Sequence, residues 1–87
     1  MESFSIQWRN STKKDIRNLP RQEVPRIIAA AVELANNPMP NGSQKLSGSE
    51  RTHRVRVGDY RIVYEVFADS QIVEIQRIRH RKDVYRE

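Results

Sequence analysis

Residues Arg54 to Val66, RVRVGDYRIVYEV, leave this chain few ways to fold. Two runs of alternating apolar and charged residues flank Gly58-Asp59, and a glycine-acid pair between such runs signals a two-residue hairpin turn. With Gly58 and Asp59 in the turn, Val57 falls opposite Tyr60, Arg56 opposite Arg61, Val55 opposite Ile62 and Arg54 opposite Val63. Side chains alternate along a strand, so one face carries Val55, Val57, Tyr60, Ile62, Tyr64 and Val66 and becomes the core. The other face carries Arg54, Arg56, Arg61 and Glu65. Directly opposed side chains stand about 5 Å apart, where like charges destabilise a sheet. Three arginines gathered on one face point to a polyanion that neutralises them.

The rest of the chain supplies cover for that core. Phe4, Ile6 and Trp8 alternate with Ser5, Gln7 and Arg9, the pattern of a strand with one buried face and Trp8 as a core anchor. Asn10, Ser11 and Thr12 are each able to cap a helix over Lys13 to Leu19, which Pro20 ends. Val24, Ile27, Ile28, Ala31, Leu34 and Ala35 form one helical stripe, and Pro25 fits only a first turn, so a second helix begins around Arg21 to Glu23. The two helices make a hairpin able to cover one sheet face. Met39 to Ser49, with Pro40, Gly42 and Gly48, reads as a loop anchored by Leu46, and its Lys45 is a candidate RNA contact.

The last strand, Gln71 to Arg79, has an awkward phase. Val73 and Ile75 share a face, but an unbroken count puts Arg77 and Arg79 in the core and Ile78 outside. A β-bulge near Gln76-Arg77 would restore Ile78 to the core and Arg79 to the arginine face, so that bulge or an early strand end is expected. The expected fold is α+β: an N-terminal strand, an α-helical hairpin, then a three-stranded antiparallel sheet with a basic C-terminal tail. At 87 residues the expectation is a single domain over 1–87.

Sixteen Lys and Arg against eleven Asp and Glu give a net charge of +5, which favours nucleic acid or another acidic partner. Without cysteine there is no disulfide or thiolate chemistry, and two histidines cannot build a structural zinc site, so no metal and no cofactor are expected. No apolar run approaches a membrane span and no signal-peptide layout opens the chain, so the expected location is cytoplasmic, with no membrane partner. A last strand beside the hairpin delivers the tail, His80-Arg81-Lys82-Asp83-Val84-Tyr85-Arg86-Glu87, close to the Gly58-Asp59 turn.

GDYRIVY within the hairpin and HRKDVY at His80 to Tyr85, with the KLSGS loop at Lys45 to Ser49, resemble the RelE branch of the RelE/ParE superfamily of bacterial toxin–antitoxin toxins. The resemblance covers nearly the whole chain. It implies a ribosome-dependent endoribonuclease that cuts messenger RNA in the decoding site. The implied partners are the ribosome and mRNA, a cognate antitoxin that neutralises the toxin, and operator DNA bound by the toxin–antitoxin complex. Arg61 matches the arginine that the family uses on the scissile phosphate. Arg54 and Arg56 stand where better-studied relatives have two lysines, one of them implicated as a base, and Arg81 and Tyr85 match a C-terminal arginine and tyrosine. Arg79 and Lys82 join Lys45 as candidate RNA-binding residues.

RNA is cut without a metal when its own 2′-hydroxyl attacks the adjacent phosphate, since the nucleophile arrives with the substrate. The protein then supplies cations for the phosphorane charge, a proton acceptor and a proton donor. Arg56, Arg61 and Arg81 answer the first need, because guanidinium forks match phosphate oxygens. Tyr85 is suited to stacking on a base or to proton transfer, and His80 is the tail residue whose ordinary pKa lies near neutrality. Arginine keeps its proton and is a poor base, so no residue stands out as the general base. His53 counts onto the core side opposite Tyr64, and Glu65 falls across from Glu74. Two other readings stay open: a ParE-like inhibitor of DNA gyrase that cuts nothing, and a plain nucleic-acid-binding module.

Overall fold

The Gly58-Asp59 turn closes where its residues require. Gly58 has φ 61°, a conformation that costs any residue with a Cβ, and the Arg26 guanidinium lies where that Cβ would be. The computed structural model describes residues 3–84 apart from Ser47 and Ser49. Within them the chain runs β1 (Ser5–Trp8), α1 (Asn10–Arg17), a 3-10 turn (Arg21–Glu23), α2 (Val24–Glu33), β2 (Gln44–Lys45), β3 (Thr52–Val57), β4 (Tyr60–Phe67), β5 (Ile72–His80) and the short α3 (Arg81–Val84). One five-stranded sheet has the order β1-β5-β4-β3-β2. The α+β class stands, while the sheet is larger than the expected three strands. β1 joins it parallel to β5, and β2, inside the stretch read as a loop, pairs with β3 through Gln44–Arg54 and Lys45–His53. Two residues among prolines and glycines carry no strand period, so tertiary pairing alone makes β2 a strand.

The hairpin has the expected register, with Val57 opposite Tyr60, Arg56 opposite Arg61, Val55 opposite Ile62 and Arg54 opposite Val63. The bulge is present too. Ile75 pairs with Tyr64 and Arg77 with Val63, which leaves Gln76 as the extra residue. Gln76 and Arg77 interrupt the alternation, so Ile75 and Ile78 both face inward, at 0% and 5% exposure.

α1 begins at Asn10, not Lys13, and Arg9 at its N-cap position makes no side-chain cap. The hydroxyls expected to cap it do something else. Ser11 Oγ donates to the Gln76 carbonyl at 2.8 Å and Thr12 Oγ1, fully buried, to that of Ile75 at 2.6 Å. Asp15 Oδ2 accepts the Ile78 N–H at 2.9 Å. β1 pairs with β5 only as far as Ile75, and α1 then occupies the edge that β1 leaves, satisfying its backbone groups with side chains.

The core lies between α2 and the sheet, with Ile27, Ala31 and Leu34 meeting Ile62, Tyr64, Val66, Val73, Ile75 and Ile78. Trp8 packs at its margin, half-buried rather than central. Burying a side chain such as Ile62 contributes about 2 kcal/mol, so a core this size holds the sheet's inner face firmly and leaves the outer face for other work. Among the described residues no helix is long and apolar enough to cross a membrane.

Candidate functional site

The side chains on the outer face form rows across β3, β4 and β5, and their charges are sorted along the strands. Nearest the turn, Arg56, Arg61 and Arg79 stand in one row. Arg54, Val63 and Arg77 make the second, and Thr52, Glu65 and Glu74 the third. The bulge is what brings Arg79 beside Arg61.

The rows differ in how their charge is met. Arg77 turns to α1, donating Nε and Nη2 to the Asp15 carboxylate at 2.9 and 3.1 Å. In the third row Arg9 reaches over the opposed glutamates, with Nε 2.9 Å from Glu74 and Nη2 3.9 Å from Glu65, and Gln76 donates to Glu65. By contrast, Arg54 Nη2 donates to Gln44 Oε1 at 2.9 Å and Arg56 Nε to the Gly58 carbonyl at 3.3 Å, both neutral acceptors. Among the described residues, no carboxylate lies within 4.0 Å of the guanidinium of Arg54, Arg56 or Arg61. These three, with Gly42 and Gln44, line a cleft of about 210 Å³. Adjacent guanidinium groups with no internal counter-charge form a ready site for phosphate oxygens.

The start of the tail arrives at the turn as expected. The Arg81 backbone N–H donates to the Asp59 carbonyl at 2.8 Å and its guanidinium lies 4.0 Å from the Asp59 carboxylate. Arg81 therefore sits at the turn end, by the row of Arg56, Arg61 and Arg79, and Lys82 is exposed on α3. Tyr85 lies outside the described residues.

Two candidates point elsewhere. His80 pairs with Tyr60, whose ring it meets edge-on at 5.1 Å, and it lines a pocket with Asp15, Asn18, Leu19, Tyr60 and Ile78 on the helix side of the sheet. Alternation puts Arg79 on one face and His80 on the other. Its Nδ1 accepts the Lys82 N–H at 3.2 Å. Lys45, opposite His53, likewise turns to the helix side, while its neighbour Gln44 turns to the arginines. Sequence reasoning missed Gln44 because the strand that aims it has no local pattern.

His53 is structural, as its position predicts. It is 6% exposed and stacks on Tyr64 at 5.7 Å, and burial, aided by the Lys45 charge, holds its imidazole below the ordinary pKa of 6.5. Tyr64 donates its hydroxyl to the Pro38 carbonyl at 2.7 Å. Burial pushes that phenol above its usual range, against a smaller opposing effect of the Ser43 hydrogen bond.

Comparison with known proteins matches residues 6–85 to the family described as the ParE toxin of type II toxin–antitoxin system, parDE. Toxin RelG of Mycobacterium tuberculosis is 31% identical over 88 residues, covering 95% of this chain and 97% of its own. A chain of the RelB–RelE antitoxin–toxin complex from Methanococcus jannaschii superposes with a TM-score of 0.74 at 29% identity, covering 92% of this chain and 95% of that one. The archaeal RelE–RelB complex from Pyrococcus horikoshii gives a TM-score of 0.80 at 24% identity over 91% and 96%, a likeness of fold.

Proposed function

This chain belongs to the RelE branch of the RelE/ParE toxins of type II toxin–antitoxin systems, and from that premise we propose that it is an endoribonuclease that cuts messenger RNA on the ribosome. The observation that carries the proposal is the set Arg54, Arg56 and Arg61, which line one cleft with no carboxylate against them among the described residues. A purely structural face has no reason to leave such a cluster unneutralised when the same face neutralises its glutamates with Arg9.

In the proposed reaction the substrate's 2′-oxygen forms a bond to the adjacent phosphorus as the bond to the 5′-oxygen breaks. The 2′-hydroxyl loses its proton and the departing 5′-oxygen gains one. Arg56 and Arg61 donate to the phosphoryl oxygens, whose charge grows in the transition state. Arg79 and Arg81 extend the cation row, and Lys82 and Tyr85 meet flanking RNA. Lys45 and His80, on the helix side, serve the strand's path and the packing of the tail ahead of the scissile phosphate. Because arginine keeps its proton, rate comes from charge stabilisation and substrate positioning, with the ribosome supplying geometry. No cofactor enters this scheme.

The same premise gives the protein a cognate antitoxin, by analogy with the RelB partner in the complexes of its relatives. The pair would bind its operator DNA, and the toxin, a single domain over 1–87, would act in the cytoplasm. The test adds the purified protein to ribosomes programmed with a defined message, beside free RNA and an Arg61→Ala variant, and maps 5′ ends. Cuts within the decoding-site codon that need both ribosome and Arg61 are the expected result. An intact message would overturn the nuclease. Because the matching family model is named for ParE, inhibition of gyrase in a supercoiling assay would then support a non-enzymatic, ParE-like inhibitor.

A further inference from the structure

The cleft among Arg54, Arg56 and Arg61 contains one uncharged polar side chain, Gln44. Its orientation is fixed by chemistry. Arginine has donors and no acceptor, so the amide end that meets Arg54 Nη2 at 2.9 Å must be the oxygen. The Nε2 end then keeps both its hydrogens, and among the described residues no protein group accepts them. β2 holds this amide in place. Gln44 pairs with Arg54, Lys45 pairs with His53, and the Leu46 N–H donates to the Thr52 carbonyl at 2.9 Å. The side chain is therefore carried on a paired strand and anchored at one end, with a donor left over, in a cleft whose other polar side chains are cations.

The division of chemistry in that cleft follows. An arginine contact to phosphate positions the strand and does not distinguish one nucleotide from another. A neutral amide gains little from a phosphate already held by guanidinium groups, but it can donate to the ring nitrogens and carbonyl oxygens on a base edge. We propose that Gln44 is a base-contacting residue: Oε1 fixes Arg54, and Nε2–H donates to an acceptor on the base next to the phosphate that the arginines hold. This deepens the RNA-cleft reading and rests on it.

Binding of single strands separates the two. The probes are short oligoribonucleotides made uncleavable by 2′-O-methylation, with bases and in an abasic version with the same phosphates. The expected result is that Gln44→Ala weakens binding of the base-bearing strand about fivefold, a single neutral hydrogen bond. The abasic strand, which senses only the release of Arg54, loses less. Arg61→Ala weakens both strands alike, and Gln44→Asn, which keeps the amide on a shorter arm, recovers part of the loss. Equal loss on both strands in Gln44→Ala would overturn the inference, since Gln44 would then act only through Arg54. So would no loss, or a wild-type protein that binds both strands equally. Failure of the nuclease reading shows separately, as an uncut message on programmed ribosomes, and leaves the binding comparison to decide Gln44 by itself.

Discussion

The two ends of the outer sheet face carry the same problem and resolve it differently. At one end Glu65 and Glu74 stand directly opposite each other; at the other Arg61 stands between Arg56 and Arg79. Both are like-charge pairings of the kind that destabilises a sheet. The glutamates are met from within, by Arg9 from the β1–α1 corner and by the Gln76 amide from the bulge. Arg56 and Arg61 meet no carboxylate among the described residues. Like-charge pairing by itself therefore does not mark a site. What marks it is a pairing that the described residues leave uncompensated while compensating its counterpart a few residues along the same strands.

The sharpest way to break that comparison is Arg61→Ala. Removing one preorganised charge-stabilising donor costs about two to three orders of magnitude in rate, so cleavage on programmed ribosomes should fall by that factor. Arg9→Ala, which removes a cation from the other end, should leave the rate within about twofold, as surface electrostatics remote from the reacting phosphate contribute little. Equal losses in the two variants would mean that the face acts only through its total charge.

Next in size is Asp15→Ala. Asp15 accepts from Arg77 and from the Ile78 N–H, so it holds β5 just past the bulge that sets Arg79 beside Arg61. Its carboxylate is 16% exposed, and losing charged hydrogen bonds there should destabilise the fold by about 2 kcal/mol, read from denaturant unfolding. Asp15→Asn should recover part of that, because one amide oxygen still accepts from the Ile78 backbone. A variant as stable as the wild type would remove α1 from the account of how the arginine row is placed.

How far the sequence carried these conclusions depends on the range of the interactions. The hairpin register and its two faces were legible because alternation and the Gly58-Asp59 turn are local. The bulge was legible for a subtler reason: Ile78 and Arg79 sit in the wrong phase unless one residue is inserted. The aim of Gln44, the start of α1 and the fate of Arg77 were not legible. Each is decided by a partner far along the chain: Arg54 for Gln44, the Gln76 and Ile75 carbonyls for Ser11 and Thr12, and Asp15 for Arg77. Asn10 to Thr12 read as caps by local rule, and the β5 edge claimed the Ser11 and Thr12 hydroxyls instead. Lys45 reads locally as a loop lysine and His80 stands out for its near-neutral ordinary pKa; strand pairing turns both to the helix side of the sheet.

Stability in mild acid offers a test that leaves the arginines untouched, since they do not titrate there. Folded His53 holds its pKa below 6.5, so the unfolded chain takes up a proton at higher pH than the folded one. Its contribution is therefore complete above pH 6.5, falls as pH drops through 6.5 towards the lowered folded value, and levels off below it. His53→Phe, which keeps a ring against Tyr64, should flatten the denaturant midpoint across that window. A wild-type midpoint already flat there would show that His53 titrates normally.

The smallest effects discriminate the two ends of the face most cleanly, because their signs differ. Arg9 is half exposed, so its bridge to Glu65 and Glu74 contributes no more than about 1 kcal/mol. Arg9→Ala leaves the opposed glutamates with Gln76 alone and should lower stability by about 0.5 kcal/mol at low salt. Arg61→Ala relieves repulsion from its neighbours across both strands, so at low salt it should raise stability by a similar few tenths, about 0.3 kcal/mol. Salt shortens the screening length from about 10 Å at 0.1 M to about 3 Å at 1 M, so both differences should shrink towards zero from opposite sides. Unfolding curves of the two variants across that salt range measure this directly. If Arg61→Ala lost stability at every salt concentration, Arg61 would be held by a favourable contact within the fold, and the uncompensated charge that motivates a phosphate site would not exist.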